Sequence, residues 1–172
     1  MALKCASFRY ILSILSLLLS RGAPLKSYNI FIGNEWIKPS NGNWLETSNP
    51  YTGEPWAQIP RCDAADIDLA VKTASEAFPA WAGLKPAERA APLFKLAELI
   101  EGKSAHLAEI EVRDNGKLYA EMSAQTRYIA EWYRYFAGLA DKVEGAVIPN
   151  EKPNIFNFTR HEPLGVVALI TP

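Results

Sequence analysis

The sequence predicts an α/β fold, and an incomplete one. Short apolar segments punctuated by turn dipeptides fill residues 28–54, and apolar residues recur with a period of 3.6 over 63–143. A single unbroken apolar run, 166–170, then lies between Gly165 and Pro172. That run has the pattern of a strand buried on both faces of a parallel sheet. A parallel neighbour needs a crossover of a dozen or more residues, and none follows, so the expectation is of a sheet that begins here and is not finished.

The elements follow in order. Asn29-Ile30-Phe31-Ile32 and Glu35-Trp36-Ile37 flank Gly33-Asn34, a strand–turn–strand pattern. Ser40-Asn41-Gly42-Asn43 and Asn49-Pro50-Tyr51-Thr52-Gly53-Glu54 are further turns, with Gly53 suited to a positive φ. The region reads as a meander of short strands. Asp63 is placed as the N-cap of a first helix whose stripe is Ile67, Ala70, Val71, Ala74 and Phe78, and Pro79 is expected to stop it. A second helix starts at Lys85-Pro86 and buries Leu93, Leu96, Ala97 and Ile100. A third carries Leu107 and Ile110 and ends at Asp114-Asn115, with Gly116 as a left-handed C-cap.

The fourth has the strongest period. Ile129, Trp132, Tyr133, Phe136, Ala140 and Val143 share one face, read as core or interface packing rather than a cofactor box. Beyond Gly145, Val147-Ile148-Pro149 and 154–160 form an expected hairpin across the turn Asn150-Glu151-Lys152-Pro153. Its apolar face needs a covering subunit or domain.

Composition sets limits on function. Of 172 residues, 49% are apolar and 22% charged, which excludes collagen-like, disordered and disulfide-scaffold classes. Eighteen basic and 19 acidic residues leave −1, no electrostatic footprint for nucleic acid. That average hides an asymmetry. No acidic residue precedes Glu35, while Lys4, Arg9, Arg21 and Lys26 give +4, and the remainder carries −5.

Residues 1–26 therefore read as a separate leader or extension outside the fold, and 27–172 as the body. Tyr10 to Leu19 is apolar apart from two serines and too short to span a bilayer, which takes roughly 20 apolar residues. Arg9, Ser13, Ser16 and Ser20 would line one face of a helix. An organelle transit peptide, an export or membrane-anchoring segment, and an extension without a role all remain open. Cys5 and Cys62 are too few for a disulfide framework, so the body is expected to be reduced and cytoplasmic, with organelle or export as the alternative set by the leader.

No catalytic constellation is complete. His106 and His161 read as surface or satisfied histidines. Cys62 sits at a helix start, where the dipole could lower its pKa, but no histidine is placed to act with it. Gly33, Gly42, Gly53 and Gly116 lack the spacing of a phosphate-binding loop. Asp66/Asp68 and Glu109/Glu111, two apart on helices, point to different faces.

A series of motifs nevertheless recurs in a recognisable order: Gly33-x-x-Trp36, Asn49-Pro50-x-Thr52-Gly53-Glu54, Asp66-Ile67-Asp68-x-Ala70-Val71 and Ala77-Phe78-x-x-Trp81. Pro86-x-Glu88-Arg89, Asp114-Asn115-Gly116-Lys117, Tyr135-Phe136-Ala137-Gly138 and Glu162-Pro163-Leu164-Gly165-Val166-Val167 complete it. In these residues the chain, from about Tyr28 to Pro172, resembles the amino-terminal third of the NAD(P)-dependent aldehyde dehydrogenase superfamily.

The resemblance implies a Rossmann-like cofactor domain begun by 164–170, a catalytic domain and a β-strand oligomerisation arm in homo-oligomers. It implies oxidation of an aldehyde to a carboxylic acid: a cysteine attacks the carbonyl, the thiohemiacetal transfers hydride to the nicotinamide of NAD or NADP, and a glutamate-activated water hydrolyses the thioester. An asparagine side chain helps bind the oxyanion. No counterpart of that cysteine, glutamate or asparagine is found in the sequence, so no catalytic residue is assigned and the chain alone is expected to be inactive.

By resemblance, Ile170, Thr171 and Pro172 border the adenosine side of the cofactor. Thr47, Ser48 and Asp114 match positions that hold a monovalent structural cation, a helix-end cap being the other reading of Asp114. A second functional reading is a short structural or regulatory subunit that docks onto full-length homologues through 147–160.

Overall fold

The computed structural model describes residues 24–171. The leader's residues 1–23, and Pro172, lie outside them. Among the described residues the order is β1 (Lys26–Ser27), β2 (Ile30–Ile32), β3 (Glu35–Ile37), β4 (Trp44–Ser48), β5 (Pro55–Pro60), α1 (Ala64–Ala82), α2 (Pro86–Gly102), α3 (Ser104–Asn115), α4 (Tyr119–Leu139), β6 (Val147–Ile148) and β7 (Asn157–Phe158). The mixed α/β class matches the expectation, while several details differ.

The strands form a three-stranded sheet ordered β1-β5-β4 and two separate hairpins, rather than one meander. β2 and β3 pair antiparallel, Ile32 opposite Glu35, across Gly33 (φ 61°) and Asn34 (φ 68°). Two consecutive positive φ values make a type I′ turn, whose twist matches that of its strands. β5 was not anticipated. It pairs antiparallel with β4, and on its other edge parallel with β1, Lys26 opposite Ala57. Lys26, assigned to the leader, thus sits in a strand.

α1 begins as expected. The Asp63 carboxylate accepts from the backbone N–H of Ala65 and Asp66, and Asp66 Oδ2 accepts from the N–H of Asp63 at 3.2 Å, a reciprocal capping box. The same device fastens the preceding loop. Asp66 is 4% exposed, and its Oδ1 accepts from the Ser40 N–H at 2.9 Å, while the Ser40 hydroxyl donates to Asp63 Oδ1 at 3.1 Å. Pro79 does not stop α1, which continues to Ala82. A proline in the last turn forfeits one hydrogen bond there, and the Pro79 carbonyl still accepts from the Gly83 N–H.

Partial desolvation raises the Asp63 pKa, but hydrogen bonds from Ser40, from the Asp66 and Ala65 backbone and from Asn41 outweigh it and hold the carboxyl below its ordinary value. A carboxyl acidified by folding stabilises the folded state above its unfolded pKa, and that contribution disappears as pH falls through the folded value. Below about pH 4 the thermal midpoint of the parent is expected to fall further than that of Asp63→Asn, which keeps a competent cap without the charge. Midpoints measured against pH for both proteins check this, and parallel curves would overturn it.

α2 starts with Pro86 in the first turn, the Lys85 N–H donating to Glu88 Oε2 at 2.8 Å. α3 ends on Gly116 at φ 74°, as read from the sequence. α4 packs against both α2 and α3, and Arg134 bridges Glu131 of α4 and Glu101 of α2.

Of the two expectations for the aromatic face of α4, core packing is not met within this chain. The buried residues of α4 are Met122, Thr126, Ala130 and Ala137, while Trp132 is 51% and Phe136 57% exposed. Ala90, Ala97 and Ala108 face them from α2 and α3, so small side chains set the helix spacing and leave the aromatics outside. Trp132 and Phe136 stack there at 6.2 Å. Ile67 and Val71 of α1 are likewise more than half exposed.

The expected hairpin is present, Val147 opposite Phe158 and Ile148 opposite Asn157. The strand expected at 164–170 is not formed. Leu164 is 95%, Leu169 85% and Ile170 96% exposed, and the segment pairs with no strand among the described residues. A parallel strand takes its hydrogen bonds and its cover from neighbours, and none flanks this one.

Candidate functional site

Thr47 is the penultimate residue of β4, and Asp114 lies in the last turn of α3. The fold brings them together across 67 positions: the Thr47 hydroxyl donates to Asp114 Oδ1 at 2.6 Å. Ser48 follows at an irregularity in the β4–β5 ladder, where the register shifts between Thr47 and Ser48. Its partner is Pro55, which has no N–H to give the ladder. Hydroxyl and carboxylate oxygens beside a perturbed strand end are a hard donor set, the kind that takes an alkali or alkaline-earth cation. Among the described residues no group of three or more His, Cys, Asp or Glu side chains converges as metal ligands.

Trp56, which sequence reasoning passed over, lines a cavity of about 230 Å³ together with Thr47, Tyr28 and Asp114. Its ring meets Tyr28 edge-on at 6.3 Å and carries the Arg113 guanidinium 5.5 Å above its centroid. The signal that could have found it is the apolar Trp56-Ala57 step in a segment bracketed by Pro55 and Pro60.

The other predicted residues stand apart from this cluster. Ile170 and Thr171 are exposed, and Pro172 lies outside the described residues. Both exposed residues lie on a segment that pairs with no strand among the described residues. Cys62 is exposed, and its thiol is pushed up by partial burial and by the nearby Asp66 and Asp63 carboxylates. That is opposite to the lowering that a helix start alone would give, and it leaves a weak nucleophile. No helix among the described residues is long and apolar enough to cross a membrane.

Comparison with known proteins accounts for this arrangement. The aldehyde dehydrogenase family model matches residues 36–172. A (Z)-2-((N-methylformamido)methylene)-5-hydroxybutyrolactone dehydrogenase of Acinetobacter baylyi is 45% identical over 130 residues, which cover 74% of this chain and 27% of that protein. The NAD+ complex of an aldehyde dehydrogenase from Bacillus cereus superposes with a TM-score of 0.75 at 39% identity, covering 81% of this chain and 29% of that one. A 3,6-anhydro-L-galactose dehydrogenase in complex with NADP gives 0.70 at 29% identity, over 76% and 28%. The chain spans under a third of the length of the curated relatives it matches. Its helices and short strands correspond to the N-terminal part of their fold, and the chain belongs to the aldehyde dehydrogenase family.

Proposed function

We propose that these 172 residues are the N-terminal portion of an NAD(P)-dependent aldehyde dehydrogenase and do not oxidise aldehydes alone. The observation that carries this reading is the family match over 36–172 set against a span of under a third of each relative. Neighbours bound to NAD+ and to NADP support a nicotinamide cofactor, which when bound would accept the hydride of the oxidised aldehyde. This chain's contribution is structural: the helical layer, the hairpin, and the 164–170 segment that a completed sheet would take up.

The purified chain is expected to give no NAD+ or NADP+ reduction above background with short aliphatic and aromatic aldehydes. Measurable turnover would overturn the inactivity. In this reading the complete enzyme is a cytoplasmic homo-oligomer, unless residues 1–26 direct it to an organelle, to export or to a membrane. Fractionation of cells carrying a C-terminal tag separates these cases.

Thr47, Ser48 and Asp114 would hold a monovalent structural cation in this enzyme. A ligand bound by the folded state alone raises stability with its concentration. Potassium or sodium is therefore expected to raise the thermal midpoint of the parent more than that of Asp114→Ala at matched ionic strength. Equal responses would remove the site.

A second reading rests on the hairpin. Phe156 and Phe158 pack on each other at 5.7 Å, yet remain 72% and 59% exposed. They suit docking of the short chain onto a full-length homologue through 147–160, as a structural or regulatory subunit. Co-purification at a fixed ratio with such a homologue would favour this reading over the first.

A further inference from the structure

The loop joining β3 to β4 carries a second kind of chemistry. Asn41 and Gly42 are both exposed there, in a turn closed by the Gly42 N–H donating to the Pro39 carbonyl at 3.0 Å. Gly42 sits at φ +69°, and a Cβ placed on it would meet nothing within 4 Å. Glycine therefore puts no side chain of its own beside the nitrogen after Asn41, and the space around its Cα is open. The Asn41 amide is also held in a defined pose. Its Oδ1 accepts from the Asn43 N–H at 2.8 Å, and its Nδ2 donates to the Arg61 carbonyl at 3.0 Å. The first contact polarises the side-chain carbonyl and would take up charge on Oδ1 under attack at Cγ.

We propose that Asn41 is the preferred site of spontaneous deamidation in this chain, and that its conversion unfastens the 39–43 loop from the start of α1. The Gly42 nitrogen attacks Asn41 Cγ. The N–Cγ bond forms, the Cγ–Nδ2 bond breaks, and ammonia leaves with the proton released by Gly42. Water then opens the five-membered succinimide. Cleavage at Cγ gives aspartate, and cleavage at the backbone carbonyl gives isoaspartate with the chain rerouted through Cγ. The step consumes one water and involves no change in oxidation state. Asparagine is counted among the thermolabile residues on such chemical grounds.

The chain contains its own control. Asn115-Gly116 is the other exposed Asn-Gly pair, but it ends α3. The Gly116 N–H donates to the Val112 carbonyl at 3.0 Å, and a Cβ there would lie 3.2 Å from the Pro50 ring. Helical backbone and packing against Pro50 must both be disturbed before that ring can close. At Asn41 only a turn has to adjust.

The consequence follows from what surrounds Asn41. Conversion removes the donor to the Arg61 carbonyl and puts a carboxylate beside Asp63. Asp63 already shares Ser40 with the buried Asp66. Three carboxylates around one helix start repel one another, and the loop's fastening weakens.

Ageing the purified chain at mildly alkaline pH, with peptide mass mapping over time, tests the site. The acid form is expected to accumulate several-fold faster at position 41 than at 115, with isoaspartate exceeding aspartate. Equal rates, or earlier conversion at 115, would overturn the preference. The thermal midpoint of Asn41→Asp tests the consequence: a lower midpoint than the parent supports unfastening, and an unchanged one removes it.

Discussion

Replacing Met122 by alanine is expected to cost about 2–5 kcal/mol of stability, the range for truncating a buried methionine to alanine. Met122 is 2% exposed, the largest fully buried side chain of the described residues. It sits one turn before Thr126, whose hydroxyl bonds the Met122 carbonyl at 2.8 Å and the Ser104 carbonyl at 3.0 Å. A cavity opened there would loosen the contact by which α4 holds the start of α3.

The other buried apolar residues of the helices are all alanine, so the Met122 side chain is the largest single contribution to that seam. The loss is large against the roughly 5–15 kcal/mol available to an ordinary domain. Urea denaturation checks it: the midpoint should drop sharply with the slope unchanged. Trp132→Ala, which truncates a larger but half-exposed ring, should cost less. The reverse order would mean that the aromatic face of α4, not the alanine seam, holds the helices together.

How much of this could be read from the sequence depends on the range of the interaction concerned. Gly33-Asn34, Asp63, Gly116 and the 147–158 hairpin were legible because a turn, a cap or a two-residue register is decided by adjacent residues. β1 was not, since a two-residue parallel strand exists only through Ala57 and Gln58, each 31 residues from its partner. β5 was hidden by Pro55 and Pro60, which signal breaks although they lie at its two ends.

Which face of α4 is buried within the chain was not legible, for a different reason. The period of α4 allows either an aromatic stripe or a small-residue stripe to face inward, and the choice was made by Ala90, Ala97 and Ala108 on other helices. Thr47 and Asp114 were paired by family resemblance alone, and the fold brings them within hydrogen-bond distance. The 164–170 run is apolar enough for a buried strand but has nothing to lie against, so its sequence states a requirement that the described residues do not meet.

Replacing Gly145 by alanine is expected to abolish the hairpin. A Cβ on Gly145 would lie 1.9 Å from the Thr159 carbonyl oxygen and 2.8 Å from its carbon, both backbone atoms with no rotamer to yield. That approach is what lets β6 and β7 begin: the Ala146 N–H donates to Thr159 Oγ1 at 2.8 Å, and the Thr159 N–H donates to the Ala146 carbonyl at 2.8 Å. Forcing the strands apart there breaks both bonds and leaves two short pairings.

An isolated two-stranded hairpin is marginal in water even when undisturbed, so the loss should be complete locally and small globally. Hydrogen exchange separates the two. Amides of 146–148 and 157–159 should lose protection in Gly145→Ala, while those of α2 and α4 keep theirs. Gly138→Ala serves as the control, because a Cβ at that position in the last turn of α4 meets nothing within 4 Å. Retained protection at 146–148 would show that the chain can move Thr159 aside without cost, and that the hairpin does not depend on the Gly145 contact.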